Sequence, residues 1–481
     1  MLPKIFENIV ANAGDVGAGW NAAKKALGWV REQVEYTDWN FLQNRVETKI
    51  NTIIEEGHSP AYPRATLTQM EDMITSGRWD NSWGNTGETL NVMDGGAATK
   101  EYVDITSYFT SDGEPRVLAL DASTNKVDVF NPRTLALLDT SDAFTDDLPT
   151  GGSEVWVAES FFTDGVSVYV LFKNTYPNPD EWQIQAWALS DWSVKSGWAA
   201  TGVASSDTGN GVGEIIWADD DHLAIVQNWV TVTAVTDDAI ALHLLSDGTF
   251  VRGGAGDAPW GDSVEAQHAC SDGTNVFFVG DGASADYICS ATIADLETGA
   301  GVANYPLTIT GGSQGRITTA GSLIASAHNI STYVESDNMF FTHSLADADL
   351  QQFERGASQN GVGSEEFFIK RVNDIKFDGI NIWILGKIDN SNSGSDDQTV
   401  LIKIDSAKLS MIDVSAGSVV GLNDIASGPF IINPEGATGQ DNNEYTRMAW
   451  DGRDIWVNME PRASQTYSGK LYRLPLAAWR S

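Results

Sequence analysis

The last part of the chain shows a clear alternation of apolar and polar residues. Residues 445–460 read YTRMAWDGRDIWVNME, which is two alternating runs joined by Asp451-Gly452. A period of two predicts β-strands, and an Asp-Gly connection between two such runs predicts a tight hairpin. The same phrase recurs upstream at Asp112-Gly113, Asp164-Gly165, Asp219-Asp220, Asp272-Gly273, Ala320-Gly321 and Asp378-Gly379.

Each hairpin is followed by a third apolar run, a short polar turn and usually a weaker fourth run, as in KVDVFNPRTLALLD after the first hairpin. Four antiparallel strands in every unit of about 50 residues resemble the blades of a β-propeller. The period is nearer to kelch or quinoprotein-type blades than to WD blades. Neither a kelch Gly-Gly series nor a WD series is present, so the resemblance gives an architecture and no sequence family. We therefore predict a mainly β fold, with a seven-bladed β-propeller of four-stranded antiparallel blades over residues 86–481.

The last unit contains three strand-like runs, one fewer than a complete blade. A propeller must close its ring, and the missing strand usually comes from the other end of the chain. Residues 89–93 (TLNVM) alternate correctly and precede the first hairpin unit. We predict that they form the outer strand of the seventh blade; the alternative is a plain linker.

The first 85 residues follow a helical period instead and predict a small α-helical N-terminal domain. Their helices have narrow apolar seams, which make a poor core by themselves. We predict that this region anchors the protein by packing against copies of itself or another protein; the alternative is that it folds back on the following domain. The seam residues are Trp20, Leu27, Val30 and Val34 in the first helix and Leu42, Val46, Ile50 and Ile53 in the second.

Residues 36–54 (YTDWNFLQNRVETKINTII) are similar to the short helical openings of tail-fibre and spike proteins of tailed viruses. The similarity covers about 20 residues at the start of a second predicted helix. It implies that residues 1–85 attach the protein to a virus particle.

The net charge of the chain indicates which classes of partner it can bind. The chain has 66 acidic and 29 basic residues, a formal charge of −37, and the carboxylates are spread along its whole length. Evenly acidic, Lys-poor surfaces resemble those of proteins from halophiles, since salt screens their self-repulsion; the alternative is an ordinary acidic soluble protein. Nucleic-acid binding is disfavoured because it needs basic stripes. We also expect no signal peptide and no membrane insertion, because long apolar runs are missing.

The sequence contains no catalytic motif in its proper context, and we expect no enzyme. The histidines are dispersed over different blades; His268 and His328 are the pair to examine for a metal site, although hydrogen-bonded structural roles are the simpler interpretation. We expect Cys270 and Cys289 to be buried thiols on non-adjacent strands. The repeated hairpin Asp is expected to cap its own turn.

One loop has oxygen side chains at alternate positions followed by a glycine. Residues 389–397 read DNSNSGSDD, which resembles the opening of a calcium loop, although no Glu follows at the twelfth position. Calcium is therefore a possible cofactor at Asp389, Ser391, Ser393 and Asp396, and a solvated polar loop is the alternative.

Long connections are expected on one face of the propeller, including an extra loop at about residues 420–445, and short hairpins on the other. The elaborated face is the predicted binding face. Aromatic residues in or near its loops suit a host-surface glycan or glycoprotein, or they pin the loops to the scaffold: Tyr176, Trp182, Trp229, Trp260, Tyr333 and Tyr467.

These features favour a virion surface protein of a tailed virus of a halophilic host. Residues 1–85 would bind other virion proteins and copies of the chain, and the propeller would be displayed for host attachment, on a tail fibre or on a capsid turret or spike. Assembly in the host cytoplasm would need no secretion signal. The alternative is a propeller-scaffold carbohydrate-binding protein or enzyme, such as a lyase, a glycosidase or a quinoprotein-like protein. An intracellular interaction hub fits the charge less well.

Overall fold

The computed structural model describes residues 91–94, 100–144, 148, 155–176, 182–198, 212–227, 240–253, 265–281, 286–298, 303–306, 315–321, 323–328, 338–344, 350–354, 369–389, 397–405, 420–421, 426–431, 443–461 and 470–474. The helical region predicted for residues 1–85, with its seam residues, lies outside these ranges.

The described residues form seven sheets, numbered here along the chain. The first contains β2 (Tyr102–Phe109), β3 (Pro115–Asp121), β4 (Lys126–Asn131) and β5 (Ala136–Thr140). The second contains β6 (Val155–Thr163), β7 (Ser167–Tyr176) and β8 (Trp182–Ala188). The third contains β9 (Val212–Trp217), β10 (His222–Gln227), β11 (Ile240–Leu244) and β12 (Phe250–Gly253). The fourth contains β13 (Glu265–Ser271), β14 (Asn275–Asp281), β15 (Asp286–Thr292) and β16 (Ala303–Pro306), with helix α1 (Ile293–Thr298) between its last two strands.

The remaining sheets follow the same order. The fifth contains β17 (Gly315–Ala320), β18 (Leu323–His328), β19 (Asn338–Ser344), β20 (Leu350–Glu354) and β24 (Val420–Gly421). The sixth contains β21 (Ile369–Phe377), β22 (Asn381–Asp389), β23 (Asp397–Asp405) and β25 (Ala426–Ile431). The seventh contains β26 (Asn443–Trp450), β27 (Ile455–Pro461), β28 (Lys470–Leu474) and β1 (Asn91–Asp94).

The first strands of neighbouring sheets contact one another in a closed circuit. β2 contacts β6, β6 contacts β9, and the series continues through β13, β17, β21 and β26 back to β2. Each of these strands lies at one end of its sheet's strand order, so it is the innermost strand. Sheets arranged around a common axis in this way form a β-propeller. The predicted mainly β fold of antiparallel sheets is confirmed, apart from the short parallel pair of β20 and β24.

The last sheet of the ring is closed by the first described strand, β1. β1 pairs antiparallel with β28, and Asn91 lies opposite Arg473. This places β1 as the outermost strand of the seventh sheet, in the order β1-β28-β27-β26. The pairing agrees with the strand predicted for residues 89–93, and its position was readable because the last unit lacked a strand.

The hairpins between first and second strands follow from their sequence. In the Asp-Gly hairpins the glycine has φ between 84° and 88°, a conformation that suits glycine because it has no Cβ. The hairpin Asp accepts two backbone N–H bonds of 2.6–2.8 Å on Oδ1, which confirms its structural role at Asp164, Asp219, Asp272, Asp378 and Asp451. Asp112 differs, because it accepts a bond from Thr110 Oγ1.

The hydrophobic core lies between sheets. Aliphatic and aromatic residues of the second strands face both neighbouring sheets and form separate buried clusters at successive interfaces. The largest fully buried side chains include Trp187, Trp383, Trp456, Tyr169 and Phe278. All of these except Trp187, which lies on β8, belong to second strands, and their burial explains why the sequence places aromatic residues there.

Three details differ from the sequence-based expectations. Residues 426–431, expected within an extra loop, form the fourth strand of the sixth sheet, because their apolar run pairs with β23. Residues 293–298, expected as a turn and weak strand, form α1, whose Asp295 N–H donates to Thr292 Oγ1 as in an N-cap. Cys270 was expected to be a buried thiol and is half-buried, whereas Cys289 is buried as expected, and both are free thiols.

Candidate functional sites: an inner ring and a cleft

Seven polar side chains, one from each innermost strand, occupy the same level around the axis. The register of the first and second strands shows this. In each sheet, the residue three positions after the first buried aliphatic residue of the second strand lies opposite the polar residue of the first strand. We call these residues the inner ring: Asp104, Ser160, Glu214, His268, Arg316, Asp374 and Arg447. Their convergence is the arrangement that a channel-centred active site would use.

The inner ring joins each sheet to the next. Asp104 Oδ2 accepts the backbone N–H of Phe161 at 3.2 Å, and Asp374 Oδ2 accepts that of Met448 at 2.6 Å. His268 Nδ1 accepts the N–H of Ile317 at 3.3 Å. An innermost strand has an edge with no further strand to pair with, so these side chains satisfy backbone groups that would otherwise be buried without partners.

Burial and charge set the protonation of the ring. Burial raises the pKa of Asp104 and of Glu214, although Arg447 and Lys376 act in the opposite direction on both. Burial, together with the positive charges of Arg316, Arg447 and Lys376, holds the pKa of His268 well below its usual value. His268 is therefore neutral at pH 7, and because its Nδ1 accepts a bond, its proton is on Nε2, 3.5 Å from Glu214 Oε1. Asp104, Asp374 and Nδ1 of His268 thus hold neighbouring sheets together, whereas Glu214 Oε2 and His268 Nε2 are buried without a hydrogen-bond partner among the described residues.

A second candidate site is a cleft on the face of the hairpins. It has a volume of about 480 Å³ and is open to solvent. The second, third and fourth sheets form its walls with Asp164, Tyr169, Lys195, Asp220, Asp221, His222, Leu244, Leu245, Ser246 and Glu297. Two of its residues occur where the sequence departs from the blade repeat. Asp220 stands in place of the hairpin glycine, and Glu297 belongs to α1, which has no counterpart in the other described sheets.

Polar contacts across the cleft fix its walls. Lys195 Nζ donates to the carbonyl of Leu245 at 2.6 Å and to the hydroxyl of Tyr169 at 3.2 Å. On the other wall His222 Nδ1 lies 2.9 Å from Asp219 Oδ1, and His222 Nε2 lies 3.4 Å from Glu297 Oε1. Burial lowers the pKa of Lys195, and burial with the nearby Asp164 charge raises the pKa of Tyr169. The cleft thus presents both donors and acceptors on side chains that contact one another.

Trp182 is the predicted binding aromatic whose side chain the structure describes. It is 8% exposed and packs in the cluster between the second and third sheets, with Lys173 Nζ 5.4 Å from its ring centre. This placement fits the interpretation that such aromatics pin loops to the scaffold. Tyr176 ends β7, but its side chain is outside the described part. Trp229, Trp260, Tyr333 and Tyr467 lie outside it altogether.

Most of the predicted calcium ligands lie outside the described residues. Asp389 ends β22 opposite Asp397, whereas Ser391, Ser393 and Asp396 lie outside the described residues. Within the described ranges, no three His, Cys, Asp or Glu side chains are grouped so that they could hold a metal ion. His268 belongs to the inner ring, and His328 is buried in the fifth sheet with Nε2 3.1 Å from Ser326 Oγ. Burial lowers the pKa of His328 to about 3. A calcium loop at 389–397 stays a prediction.

Neither the inner ring nor the cleft was predicted from the sequence. A signal for the ring was present: when the repeats are aligned on the hairpin Asp, a polar residue recurs four positions earlier at Ser160, His268, Asp374 and Arg447. The cleft gave no comparable signal, because its residues come from three sheets. Among the described residues, no helix is long and apolar enough to cross a membrane.

Comparison with known proteins leaves the family open. No protein-family model and no curated protein matches the chain. Among solved structures, it is similar to Kuenenia stuttgartiensis hydrazine synthase with a TM-score of 0.44 and 12% identity, over 77% of this chain and 99% of that one. It is similar to Kluyveromyces lactis Hsv2 with a TM-score of 0.41 and 9% identity, over 78% and 98%. A prolyl endopeptidase gives 0.45 and 8%, over 93% and 55%. Likeness at this level carries no argument about function.

Proposed function

We propose that the protein is a virion structural protein on the surface of a tailed virus of a halophilic host. In this proposal residues 1–85 form a helical region that binds the particle and copies of the chain. Residues 86–481 form a seven-bladed β-propeller displayed for attachment to a host glycan or glycoprotein. The protein would belong to a tail fibre or to a capsid turret or spike.

The observation that supports this proposal most directly is the position of β1. The segment that follows residues 1–85 is built into the outer edge of the seventh sheet by its pairing with β28. A region docked on a particle would therefore be joined to the propeller through a paired strand. Such a joint suits a protein whose two parts must stay in a fixed relation.

Charge and the use of polar groups give further support. A formal charge of −37 suits a surface exposed to concentrated salt, where the Debye length falls to about 3 Å at 1 M. The inner ring bonds sheet to sheet through Asp104, His268 and Asp374. These bonds favour a rigid binding scaffold over catalysis at the axis.

Light scattering coupled to size exclusion tests the proposal in 0.2 M and 3 M salt. We expect the full chain to form oligomers and residues 86–481 to be monomeric in both. A monomeric full chain in both salts would remove the anchoring role. Labelled residues 86–481 should also bind the surface of a susceptible halophilic host, and failure to bind any such host would leave a structural role without attachment.

The cleft favours a second candidate, a carbohydrate-binding protein or enzyme on a propeller scaffold. Its volume of about 480 Å³ lies within the range of small-molecule sites, and Lys195, His222 and Glu297 offer the mixed donors and acceptors that hydroxyl groups require. A glycan array separates the candidates. Binding of a free mono- or disaccharide that is lost in Glu297→Ala would support the cleft, whereas binding unaffected by that substitution would place recognition elsewhere.

A further inference from the structure

The hairpins of the sixth and seventh sheets are similar in sequence and in their hydrogen bonds. They read FDGINIW over residues 377–383 and WDGRDIW over residues 450–456. In both, the hairpin Asp accepts two backbone N–H bonds on Oδ1 and the indole N–H of a tryptophan on Oδ2, at 2.9 Å from Trp383 and 2.8 Å from Trp456. The two hairpins differ at the third residue after the Asp, which is Asn381 in one hairpin and Asp454 in the other.

Asp454 brings a second carboxyl group into a buried place. It is 1% exposed, and among the described residues neither of its side-chain oxygens accepts a hydrogen bond. Within its own sheet it faces the hairpin carboxylate of Asp451, Arg453 Nε at 3.5 Å and Arg473 Nε at 3.8 Å. Arg133 of the first sheet binds Asp451 Oδ2 at 3.0 Å, and its positive charge also favours the ionised form of Asp454.

Burial and the neighbouring Asp451 charge raise the pKa of Asp454 to about 6, although the three arginines oppose the shift. The unfolded chain has an Asp pKa near 3.9. Because the folded-state pKa is the higher one, the folded protein binds more protons than the unfolded chain between about pH 4 and pH 6. Its stability therefore increases as the pH falls through this window and is lowest, from this group, above pH 6.

The position of Asp454 links this titration to the closure of the ring. Arg473 lies on β28 directly opposite Asn91 of the closing strand β1, and Arg133 lies across the joint in the first sheet. The hairpin of the fourth sheet has Asn275 at the position of Asp454. Its side-chain Nδ2 donates to Oδ2 of the hairpin Asp272 at 3.2 Å. A protonated Asp454 can make the equivalent bond to Asp451.

We propose that Asp454 makes the closure of the ring depend on pH. The joint between the seventh and first sheets holds most firmly in mildly acidic solution, and it loosens when the Asp454 carboxyl loses its proton. This inference goes beyond the proposed function and does not depend on it.

The test compares Asp454→Asn with the reciprocal Asn381→Asp in the full chain. Hydrogen exchange of β2 and β26, which contact each other across the joint, reports its opening between pH 5 and pH 8 after correction for intrinsic rates. The measurement is made in 2 M salt, which screens surface charge. The wild-type opening constant should increase with pH by up to about tenfold more than that of Asp454→Asn, since each pKa unit corresponds to tenfold and the range crosses only the part of the window from pH 5 to about pH 6. Asn381→Asp should introduce a new pH dependence into exchange of residues 381–389.

Two outcomes would overturn the proposal. If wild type and Asp454→Asn open with the same pH dependence, the carboxyl does not control the joint, even when the variant is uniformly more stable. If Asp454→Asn fails to fold, Asn381→Asp decides: unchanged pH dependence in the sixth sheet shows that an acid at this hairpin position is not a pH-sensitive group.

Discussion

Two interfaces between sheets solve the same packing problem in different ways. The third and fourth sheets meet in an extended apolar cluster that includes Val226, Leu242 and Phe278. The seventh sheet, which contains the first and the last described strands, meets the first sheet in a smaller cluster around Trp456 and Phe130. One hydrogen bond is common to both: Ser271 Oγ donates to the carbonyl of Ala218 at 2.5 Å, and Ser107 Oγ donates to that of Trp450 at 2.6 Å.

The closing joint adds directional polar contacts that supplement its smaller apolar cluster. Arg133 Nη1 binds Asp451 Oδ2 at 3.0 Å, and Asn458 Nδ2 donates to the carbonyl of Tyr102 at 2.7 Å. Apolar burial is non-directional, whereas hydrogen bonds and ion pairs fix register. A joint between distant parts of the chain must find its register without a short connection, so directional contacts are an appropriate means of specifying it.

Removal of the closing strand should produce the largest difference between the two interfaces. We expect residues 95–481 to unfold at lower urea concentration than residues 89–481, by about 4 kcal/mol if each of four paired residues is worth about one backbone hydrogen bond. Hydrogen exchange should increase first in β26–β28 and leave β13–β15 protected. Equal unfolding midpoints for the two fragments would show that β1 does not stabilise the joint.

Loss of the ion pair across the joint should have the next largest effect. Arg133→Met keeps most of the apolar stem and removes two bonds to Asp451, whose side chain is fully buried. A hydrogen bond to a charged group is typically worth about 2 kcal/mol, and we expect a loss of that size in urea unfolding. Arg116→Met is the matched control, since its partner Glu114 is exposed and the contact is 3.5 Å. A loss as large in the control would argue against a specific role for the joint.

Much of this architecture could be read from the sequence because it is periodic. The Asp-Gly hairpins and the alternating strands repeat, and even β1 was predictable from a missing strand in the last unit. The inner ring and the polar contacts of the joint were not predicted, because Asp104 and Phe161, or Arg133 and Asp451, are distant in sequence and meet only when the ring closes. The cleft depends on α1 and Asp220, which differ from the corresponding parts of the other units. A repeating pattern predicts what the units share and does not predict where one unit differs.

The shared serine bond gives a direct comparison of the two interfaces. Ser107→Ala and Ser271→Ala each remove one Oγ–H donor to a carbonyl of the neighbouring sheet. We expect each to lower the free energy of unfolding by about 1 kcal/mol. The local effect should differ, with faster exchange of β26 and β2 only for Ser107→Ala. If Ser271→Ala speeds local exchange as much as Ser107→Ala does, the larger apolar cluster between the third and fourth sheets does not compensate for the lost hydrogen bond.

The smallest expected effect concerns Leu135, which packs against the cluster of the closing joint with φ at 63°. A side chain at positive φ costs about 1–2 kcal/mol, and the corresponding turn of the third sheet has Gly248 at 78°. Leu135→Gly removes this strain together with a half-buried side chain, so the two effects nearly cancel and stability should change by less than about 0.5 kcal/mol. Leu135→Ala keeps the strain and loses the packing, so it should destabilise by about 1 kcal/mol in the same urea experiment. If the glycine variant is less stable than wild type by more than this amount, the leucine side chain contributes more to the joint than its backbone strain costs.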